Sequence, residues 1–235
     1  MALPFFYSEN IDATQNTVLL NEETSKHIVQ VLRMQNSEQL QLTDGKGNLF
    51  TTEITDNNKR SCAVKILTTD HKPQTTRKVS IAISLVKNTS RFEWFLEKAT
   101  EIGVTEIVPL LCARTEKQHF RYDRMKMIVI SAMLQSQQVW LPILHEPTKF
   151  EKFIDQSNCD QKLIAHCIED DKQQLSHFQI SKSPNLQIAI GPEGDFTNEE
   201  IALATKNNFI PVSLGNTRLR TETAGIVAAT LLAQL

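Results

Sequence analysis

The sequence lacks the signatures of several common functional classes. Its four cysteines show neither C-x-x-C pairing nor the spacing of a zinc site, which predicts reduced thiols in a cytoplasmic protein without a metal centre. No stretch approaches the run of about 18 apolar residues that a membrane-spanning helix needs, and the N-terminus lacks the pattern of a secretory signal. The formal net charge of −2 excludes a general attraction to nucleic acid, so any such contact requires a local basic patch.

Glycine is also scarce, and four of the seven glycines fall in the last 45 residues. They lie in residues 188–197 and 211–225, where an apolar run is followed by glycine, polar residues and a helical pattern. Glycine lets the backbone approach a ligand closely, and ligands of α/β sheets bind outside the carboxyl ends of the strands. These two strand-to-helix corners therefore predict a site built mainly from backbone groups.

The two corners also indicate what the ligand is not. They match neither the phosphate-binding pattern G-x-x-x-x-G-K-[ST] nor the dinucleotide-binding pattern G-x-G-x-x-G. Glu193 and Asp195 lie in the first corner, and their carboxylates would repel a phosphate. We therefore expect a ligand that carries hydroxyl groups, amines or positive charge.

The first part of the chain has the pattern of a small β-rich module. Residues 38–68 contain short apolar runs around Asp44-Gly45, which is a strong hairpin signal. Residues 24–34 show the apolar spacing of a helix, and residues 68–78 have the composition of a linker. The predicted division is a module over residues 1–72 and a second domain over residues 73–235.

From residue 78 onward, predicted strands and helices alternate. The predicted strands cover residues 79–86, 104–111, 163–167, 186–190 and 209–214. The predicted helices cover residues 90–103, 122–137, 197–207 and 221–235. Two of these helices begin with a capping-box pattern, at Ser90 and at Thr197. The alternation predicts an α/β fold with a mostly parallel sheet covered by helices on both faces.

Five motifs, in order along the chain, resemble one known family. They are His27-x-x-x-Val31-Leu32-Arg33, Lys87 followed by the segment 98–104, Ala132-x-x-Gln135-Ser136, G-P-E-G at 191–194, and L-G-x-x-x-L-R-x-E-T-A at 214–224. Together they resemble the RsmE-type family of trefoil-knotted (SPOUT) methyltransferases, which methylates N3 of a uridine in 16S ribosomal RNA. The chain departs from the family pattern at Gln138, Thr217, Arg218 and Asp195.

The resemblance implies a C-terminal trefoil-knotted domain, a small N-terminal RNA-binding module of PUA or OB type, and S-adenosylmethionine as methyl donor. This donor has a sulfonium cation, an amine and hydroxyl groups but no phosphate, in agreement with the ligand expected from the two corners. The residues implied for donor binding are Gly191, Pro192, Glu193, Gly194, Leu214, Asn216, Leu219, Arg220 and Thr221.

Arg220 and Glu222 are the candidate catalytic residues. A cation at the start of a helix is unfavourable to the helix dipole, so we expect Arg220 to have another partner, either an RNA phosphate or a uracil carbonyl. It could stabilise charge that develops on a uracil oxygen. Glu222 could orient Arg220 or help to remove the N3 proton, although its effect on the helix dipole explains it equally well. The general base is left open among a carboxylate, water and the RNA.

A basic segment at residues 114–126 is interleaved with aromatic residues, a composition that suits phosphate contact and base stacking. The alternative is an ordinary solvated surface. Because N3 of uracil lies on its pairing edge, the enzyme must reach an unpaired or flipped base. The predicted RNA contacts are Arg33, Lys87, Arg114, Arg121, Arg124 and Arg218.

The predicted partners are the decoding region of 16S rRNA, on the assembled 30S subunit, and a second copy of the chain. The final helix carries no charge after Glu222 and is expected to be buried on more than one side. Gly225, Ala228 and Ala229 would allow close approach of the second subunit. Two other functions stay open: methylation of another RNA such as tRNA, and a role in ribosome assembly without catalysis.

Overall fold

The computed structural model describes residues 3–12, 15–168, 172–177 and 185–234. The chain forms two compact units: Met1–Gln74 with Met133–Leu141, and Thr75–Ala132 with Pro142–Leu235. The division proposed from the sequence, between residues 72 and 73, did not include Met133–Leu141 in the first unit. In the described ranges, no helix combines the length and apolar character that crossing a membrane requires.

The first unit is built on a five-stranded sheet. Its elements are β1 (Phe5–Tyr7), β2 (Thr17–Leu19), α1 (Glu22–Lys26), a π-helical turn (His27–Val31), β3 (Gln39–Thr43), β4 (Asn48–Asp56) and β5 (Ala63–His71). The strand order is β1-β3-β4-β5-β2, with β1 parallel to β3 and the other pairs antiparallel. Leu40, Leu42, Phe50 and Ile54 alternate inward along the strands and form its core. The predicted β-rich module is confirmed.

The hairpin predicted at Asp44-Gly45 connects β3 to β4. Gly45 and Gly47 have φ angles of 71° and 94°, in the left-handed region that favours glycine. The Asp44 carboxylate accepts a hydrogen bond from the backbone N–H of Lys46 at 2.8 Å. A Cβ atom on Gly47 would overlap the ring of Trp140, so both the turn and its packing require glycine at this position.

The helix predicted over residues 24–34 starts earlier and ends sooner than expected. Asn21 caps α1 by accepting a hydrogen bond from the N–H of Thr24 at 2.8 Å. The helical segment finishes with the π-helical turn. Arg33 has a φ angle of 57°, in the left-handed region, and a right-handed helix does not continue through such a residue.

The second unit is an α/β domain. Its strands are β6 (Lys78–Ser84), β7 (Glu106–Leu111), β8 (Ile143–Leu144), β9 (Thr148–Lys149), β10 (Gln161–Ala165), β11 (Gln173–Gln174), β12 (Asn185–Ile190) and β13 (Phe209–Ser213). Its helices are α2 (Thr89–Ile102), α3 (Tyr122–Gln135, whose last residues belong to the first unit), α4 (Phe150–Gln156), α5 (Asn198–Lys206) and α6 (Thr221–Gln234). The order is β11-β13-β10-β12-β6-β7-β8, with β9 also paired to β7. These pairs are parallel, which confirms the predicted α/β class.

One of the two predicted capping boxes forms. At the start of α5, the Thr197 hydroxyl accepts the N–H of Glu200, and the Glu200 carboxylate accepts the N–H of Thr197. The box predicted at Ser90 is wrong. Asn88 caps α2 instead, by accepting the N–H of Ser90 at 3.0 Å, while Glu93 pairs with Arg124.

The role predicted for the small residues of α6 is corrected by the structure. A Cβ atom on Gly225 would lie 2.6 Å from the Phe95 ring of α2 and 2.7 Å from Ile83 of β6. Ala228 and Ala229 are fully buried. Gly225 thus gives α2 and β6 room to approach α6. Because Gly225, Ala228 and Ala229 are buried within their own unit, they do not form a surface for a second subunit. The partly exposed side of α6 carries larger side chains, among them Ile226, Val227 and Leu231.

Candidate functional site

The carboxyl ends of β10, β12 and β13 border a cavity of about 830 Å³. This volume lies in the range of roughly 300–1,000 Å³ that is typical of small-molecule sites. Most of the lining comes from the segments that follow these strands, residues 165–168, 190–193 and 212–221. The position agrees with the rule that ligands of parallel sheets bind at the carboxyl ends of the strands.

One hydrogen bond joins the two glycine-containing corners. The hydroxyl of Thr221, at the start of α6, donates to the carbonyl oxygen of Gly191, at the end of β12, across 3.0 Å. Thr221 is 4% exposed, so this bond is shielded from water. It brings the second corner against the first.

Most of the residues predicted for donor binding line this cavity. They are Gly191, Pro192, Glu193, Leu214, Asn216, Leu219, Arg220 and Thr221. Gly194 lies in the same turn, but its carbonyl oxygen accepts a hydrogen bond from Arg114 at 2.6 Å. Three of the departures from the family pattern, Asp195, Thr217 and Arg218, also line the cavity.

Glycine occupies positions 191 and 215 for two different physical reasons. A Cβ atom on Gly191 would lie 3.0 Å from the ring of Phe196, which is fully buried beneath the first corner. Gly215 has a φ angle of 136°, which other residues rarely adopt. The first glycine avoids a tight contact with Phe196, and the second allows the backbone conformation of the second corner.

The carboxylate of Glu193 is oriented by the backbone of Lys87. Its two oxygens accept the N–H of Lys87 at 3.3 and 3.4 Å. The side chain of Lys87 extends to Glu116, with its ammonium 3.0 Å from the carboxylate, and this ion pair raises the pKa of the Lys87 ammonium. The Lys87 side chain, which was predicted to contact RNA, is thus paired with an acidic side chain.

The two candidate catalytic residues occupy different environments. Arg220 is exposed and lines the cavity. Glu222 is 6% exposed and does not contribute to the lining; its Oε1 atom lies 3.7 Å from Nε of Arg91, on α2. No described residue forms a hydrogen bond with its Oε2 atom. Sequence patterns pointed to Arg220 as a partner of Glu222 and missed Arg91.

Arg114 supports the first corner from behind. Its Nη1 atom donates to the carbonyl oxygens of Gly194, at 2.6 Å, and Phe196, at 3.3 Å. The guanidinium of Arg114 therefore holds the backbone of the turn, and its contact with RNA stays a prediction.

The basic and aromatic segment is partly engaged in internal contacts. Arg124 forms a two-point ion pair with Glu93 at 2.6 and 2.9 Å, which lowers the pKa of the Glu93 carboxyl. Phe120 packs edge-on against Phe92, with ring centroids 6.0 Å apart. Arg121 is exposed. Of the other predicted RNA contacts, Arg218 lines the cavity and Arg33 belongs to the first unit.

Sequence reasoning missed the third wall of the cavity. His166, Cys167 and Ile168 follow β10 and line the cavity together with Lys172. They carry no motif, but they lie at the carboxyl end of the strand predicted over residues 163–167, which in the structure ends at Ala165, and the rule about carboxyl ends of strands could have pointed to them. In the described part of the chain, no three His, Cys, Asp or Glu side chains cluster in a way that could hold a metal ion.

Two family models match the chain. The model of the RNA methyltransferase domain matches residues 72–233, and the model of the RNA methyltransferase PUA domain matches residues 20–67. The second match lies within the β-rich unit, and the first covers both corners and the cavity.

Solved structures and curated relatives agree with these matches. The crystal structure of a probable rRNA-methyltransferase from Porphyromonas gingivalis has a TM-score of 0.89 and 37% identity, covering 99% of each chain. A ribosomal RNA small subunit methyltransferase E from Neisseria gonorrhoeae, bound to S-adenosyl methionine, has a TM-score of 0.88 and 29% identity, covering 99% of this chain and 97% of its own. The protein of the same name from Synechocystis is 32% identical over 217 residues, which are 90% of this chain and 71% of that protein. The chain therefore belongs to the RNA methyltransferase family, within the group of ribosomal RNA small subunit methyltransferase E.

Proposed function

We propose that the chain is an S-adenosylmethionine-dependent methyltransferase that forms 3-methyluridine in the decoding region of 16S rRNA, on the assembled 30S subunit in the cytoplasm. The observation that carries the proposal is the cavity at the two corners, closed by the bond between Thr221 and Gly191. Relatives of the same fold are named for small-subunit rRNA methylation, and one was crystallised with this donor.

The residues of the cavity fit the proposed donor. Gly191, Leu214 and Leu219 line a space of suitable volume, where backbone groups at these positions would suit the edge of an adenine. Glu193 and Asp195 also belong to the residues that line the cavity, and their negative charges favour a cationic ligand over a phosphate. When bound, the donor supplies a methyl group made electrophilic by its sulfonium sulfur.

The proposed chemistry needs removal of the N3 proton and stabilisation of the resulting negative charge. Arg220 is the candidate that stabilises charge on a uracil oxygen, because its guanidinium is exposed on the cavity wall. Glu222 is the candidate proton acceptor, because its Oε2 atom is buried and has no hydrogen-bond partner among the described residues. Since Glu222 does not line the cavity, it would accept the proton through an intervening water. The deprotonated N3 would then be the nucleophile for the methyl group that the donor supplies.

For RNA binding we propose Arg121, Arg218, Arg124, Arg114, Lys87 and Arg33, of which the first two have the clearest basis. Arg121 is exposed beside the ion pair of Arg124 and Glu93, and Arg218 lies on the cavity wall. Either cation could bind a phosphate of a strand whose target base enters the cavity.

We also propose that the chain forms a trefoil knot around the two corners.

A further proposal is a two-fold dimer through the α/β unit. The dimer is supported by partly exposed Val227 and Leu231 on α6 and by Trp94 on the adjacent α2, which is 44% exposed. Sedimentation of the full chain tests it: wild type should sediment as a dimer, and Val227→Glu with Leu231→Glu as a monomer. Met127→Glu, which changes an exposed apolar residue of α3, is the control and should stay dimeric.

The test of function incubates the full chain with methyl-labelled donor and, separately, 30S subunits, naked 16S RNA and tRNA. The expected result is label in 30S subunits, located as 3-methyluridine in the decoding region by mass spectrometry of nuclease fragments. Label in tRNA alone would show that the substrate is tRNA and not 16S rRNA. Donor binding without label in any RNA would support a non-catalytic assembly factor.

A further inference from the structure

The turn after β12 is held in place by a backbone hydrogen bond and by two charged side chains. Asp195 donates its backbone N–H to the carbonyl oxygen of Pro192 at 2.9 Å, which closes the turn. Arg114 binds the carbonyl oxygens of Gly194 and Phe196 from one side. The side chain of Asp195 forms further contacts with this turn and with the loop after β10.

Asp195 has a backbone conformation that suits glycine better. Its φ angle is 65°, in the left-handed region. Glycine would adopt the same backbone without steric cost. The backbone conformation alone does not explain why aspartate occupies this position, but the contacts of its carboxylate do. Its Oδ1 atom accepts the N–H of Phe196 at 2.9 Å, and its Oδ2 atom accepts the N–H of Cys167 at 2.8 Å.

The contact with Cys167 links two separate walls of the cavity. Cys167 belongs to the loop after β10, whereas Asp195 belongs to the turn after β12, and β10 and β12 are paired neighbours in the sheet. Both residues line the cavity. The hydrogen bond therefore spans the cavity rim between two adjacent strand ends.

A second charged side chain, that of Lys172, also binds the backbone of the loop after β10. The ammonium of Lys172 donates to the carbonyl oxygens of His166, at 2.6 Å, and Ile168, at 2.5 Å. A cation thus holds the carbonyl groups of this loop, while the Asp195 anion holds an N–H group between them. Charged partners form stronger hydrogen bonds than neutral ones, so the loop is restrained on both sides of Cys167.

We propose that Asp195 is a positioning residue that latches the turn after β12 to the loop after β10 and so holds the donor cavity in its binding shape before the ligand arrives. The latch is a property of the free protein, and its effect on the donor rests on the proposed function. A preformed site binds more tightly because less ordering is needed on binding. Loss of the latch should weaken binding through a wider, more mobile rim. Because Asp195→Gly and Asp195→Asn both remove the negative charge beside the cavity, the difference in affinity between these two variants measures the latch.

The first measurement is hydrogen exchange of the Cys167 amide in the full chain without ligand. Asp195→Gly removes both acceptors while keeping a backbone that tolerates the φ angle, and Asp195→Asn keeps one acceptor oxygen. We expect exchange to accelerate about tenfold or more in the glycine variant and by less in the asparagine variant. Unchanged exchange of Cys167 in Asp195→Gly would overturn the latch, whatever the ligand is.

The second measurement is the affinity for S-adenosylmethionine by titration calorimetry. We expect the Kd to rise about tenfold in Asp195→Gly, with Asp195→Asn between this variant and wild type. The unfolding temperature should stay within about 3 °C of wild type, because relief of the left-handed φ offsets the removal of two hydrogen bonds. A purely structural role would instead lower stability and affinity together.

The matched control is Asn208→Gly. Asn208 also has a φ angle of 65° and does not line the cavity. Its substitution should leave both the exchange of Cys167 and the Kd at wild-type values. Wild-type affinity in Asp195→Gly, despite faster exchange, would refute the positioning role. Failure of the wild-type chain to bind the donor at all would refute the proposed function, and the exchange of the Cys167 amide would then decide by itself whether the latch exists.

Discussion

The Thr221 hydroxyl lies 3.0 Å from the carbonyl oxygen of Gly191, and this buried hydrogen bond connects two corners that are 30 residues apart in the chain. The bond positions the start of α6 against the end of β12. The cavity between these corners consequently has one wall whose geometry depends on a single side chain.

Thr221→Val should test that dependence. Valine has nearly the same shape but cannot donate, so the buried carbonyl of Gly191 loses its partner, at a cost of about 1–3 kcal/mol. We expect a lower free energy of unfolding in denaturant titrations and weaker binding of S-adenosylmethionine in calorimetry. Thr221→Ser, which keeps the hydroxyl, should retain most of both. Equal losses in the two variants would show that packing of the methyl group matters more than the bond.

Arg220→Ala should lower turnover far more than donor affinity. The guanidinium lies on the cavity wall, where we assign it to a uracil oxygen. Loss of one group that stabilises developing charge typically lowers the rate about 100-fold or more. Single-turnover kinetics and calorimetry with the donor separate the two effects. A matched loss in donor affinity would show that Arg220 binds the donor instead of the base.

Glu222→Gln should abolish proton acceptance while preserving size. We expect turnover to fall by about 100-fold or more, with donor affinity near wild type because Glu222 does not line the cavity. Arg91→Ala is the companion variant, since Arg91 lies 3.7 Å from the same carboxylate. Full turnover in Glu222→Gln would assign the proton to water or to the RNA.

The double variant Arg121→Ala and Arg124→Ala should bind RNA more weakly and with less dependence on salt. Removing one interaction with a phosphate reduces the slope of log affinity against log salt by about 0.7 for single-stranded RNA. Because Arg124 is already paired with Glu93, most of the change should come from Arg121, and the single variants can be compared. Filter binding to 16S RNA at several salt concentrations measures this effect. Lys149→Ala with Lys152→Ala removes two exposed cations outside the segment and should leave the slope unchanged.

The ion pair of Glu106 and His145 should make stability depend on pH. The two side chains are 2.7 Å apart; their contact raises the pKa of His145 above 6.5 and lowers the pKa of Glu106 below 4.5. The histidine contribution is complete below pH 6.5 and is lost as pH rises through the raised pKa. The glutamate contribution is complete above pH 4.5 and is lost as pH falls through the lowered pKa.

His145→Gln should therefore lower the unfolding temperature most between pH 4.5 and pH 6.5 and least at alkaline pH. Scanning calorimetry across the pH range provides the measurement. A difference between wild type and variant that does not change with pH would mean that the ion pair adds nothing beyond the packing of the imidazole.

Much of the candidate site could be predicted because its signals are local. The glycines of both corners follow apolar strands directly, and the capping box at Thr197 involves residues within one helical turn. The very short elements were missed. β8, β9 and β11 have two residues each, too few to show an apolar period. The capping box at Ser90 failed because Arg124, on another helix, binds Glu93 through two hydrogen bonds.

By itself, the sequence determined the alternation of strands and helices, the two glycine corners at strand ends and the absence of a phosphate-binding loop. These features depend on residues within a few positions of each other, so a linear pattern contains them. Only the tertiary structure decided that Arg114 supports the turn at Gly194, that Glu222 faces Arg91, and that Asp195 binds the backbone of Cys167. Each of these contacts joins elements that are distant in the chain, and the parallel strand order that brings them together has no local signature.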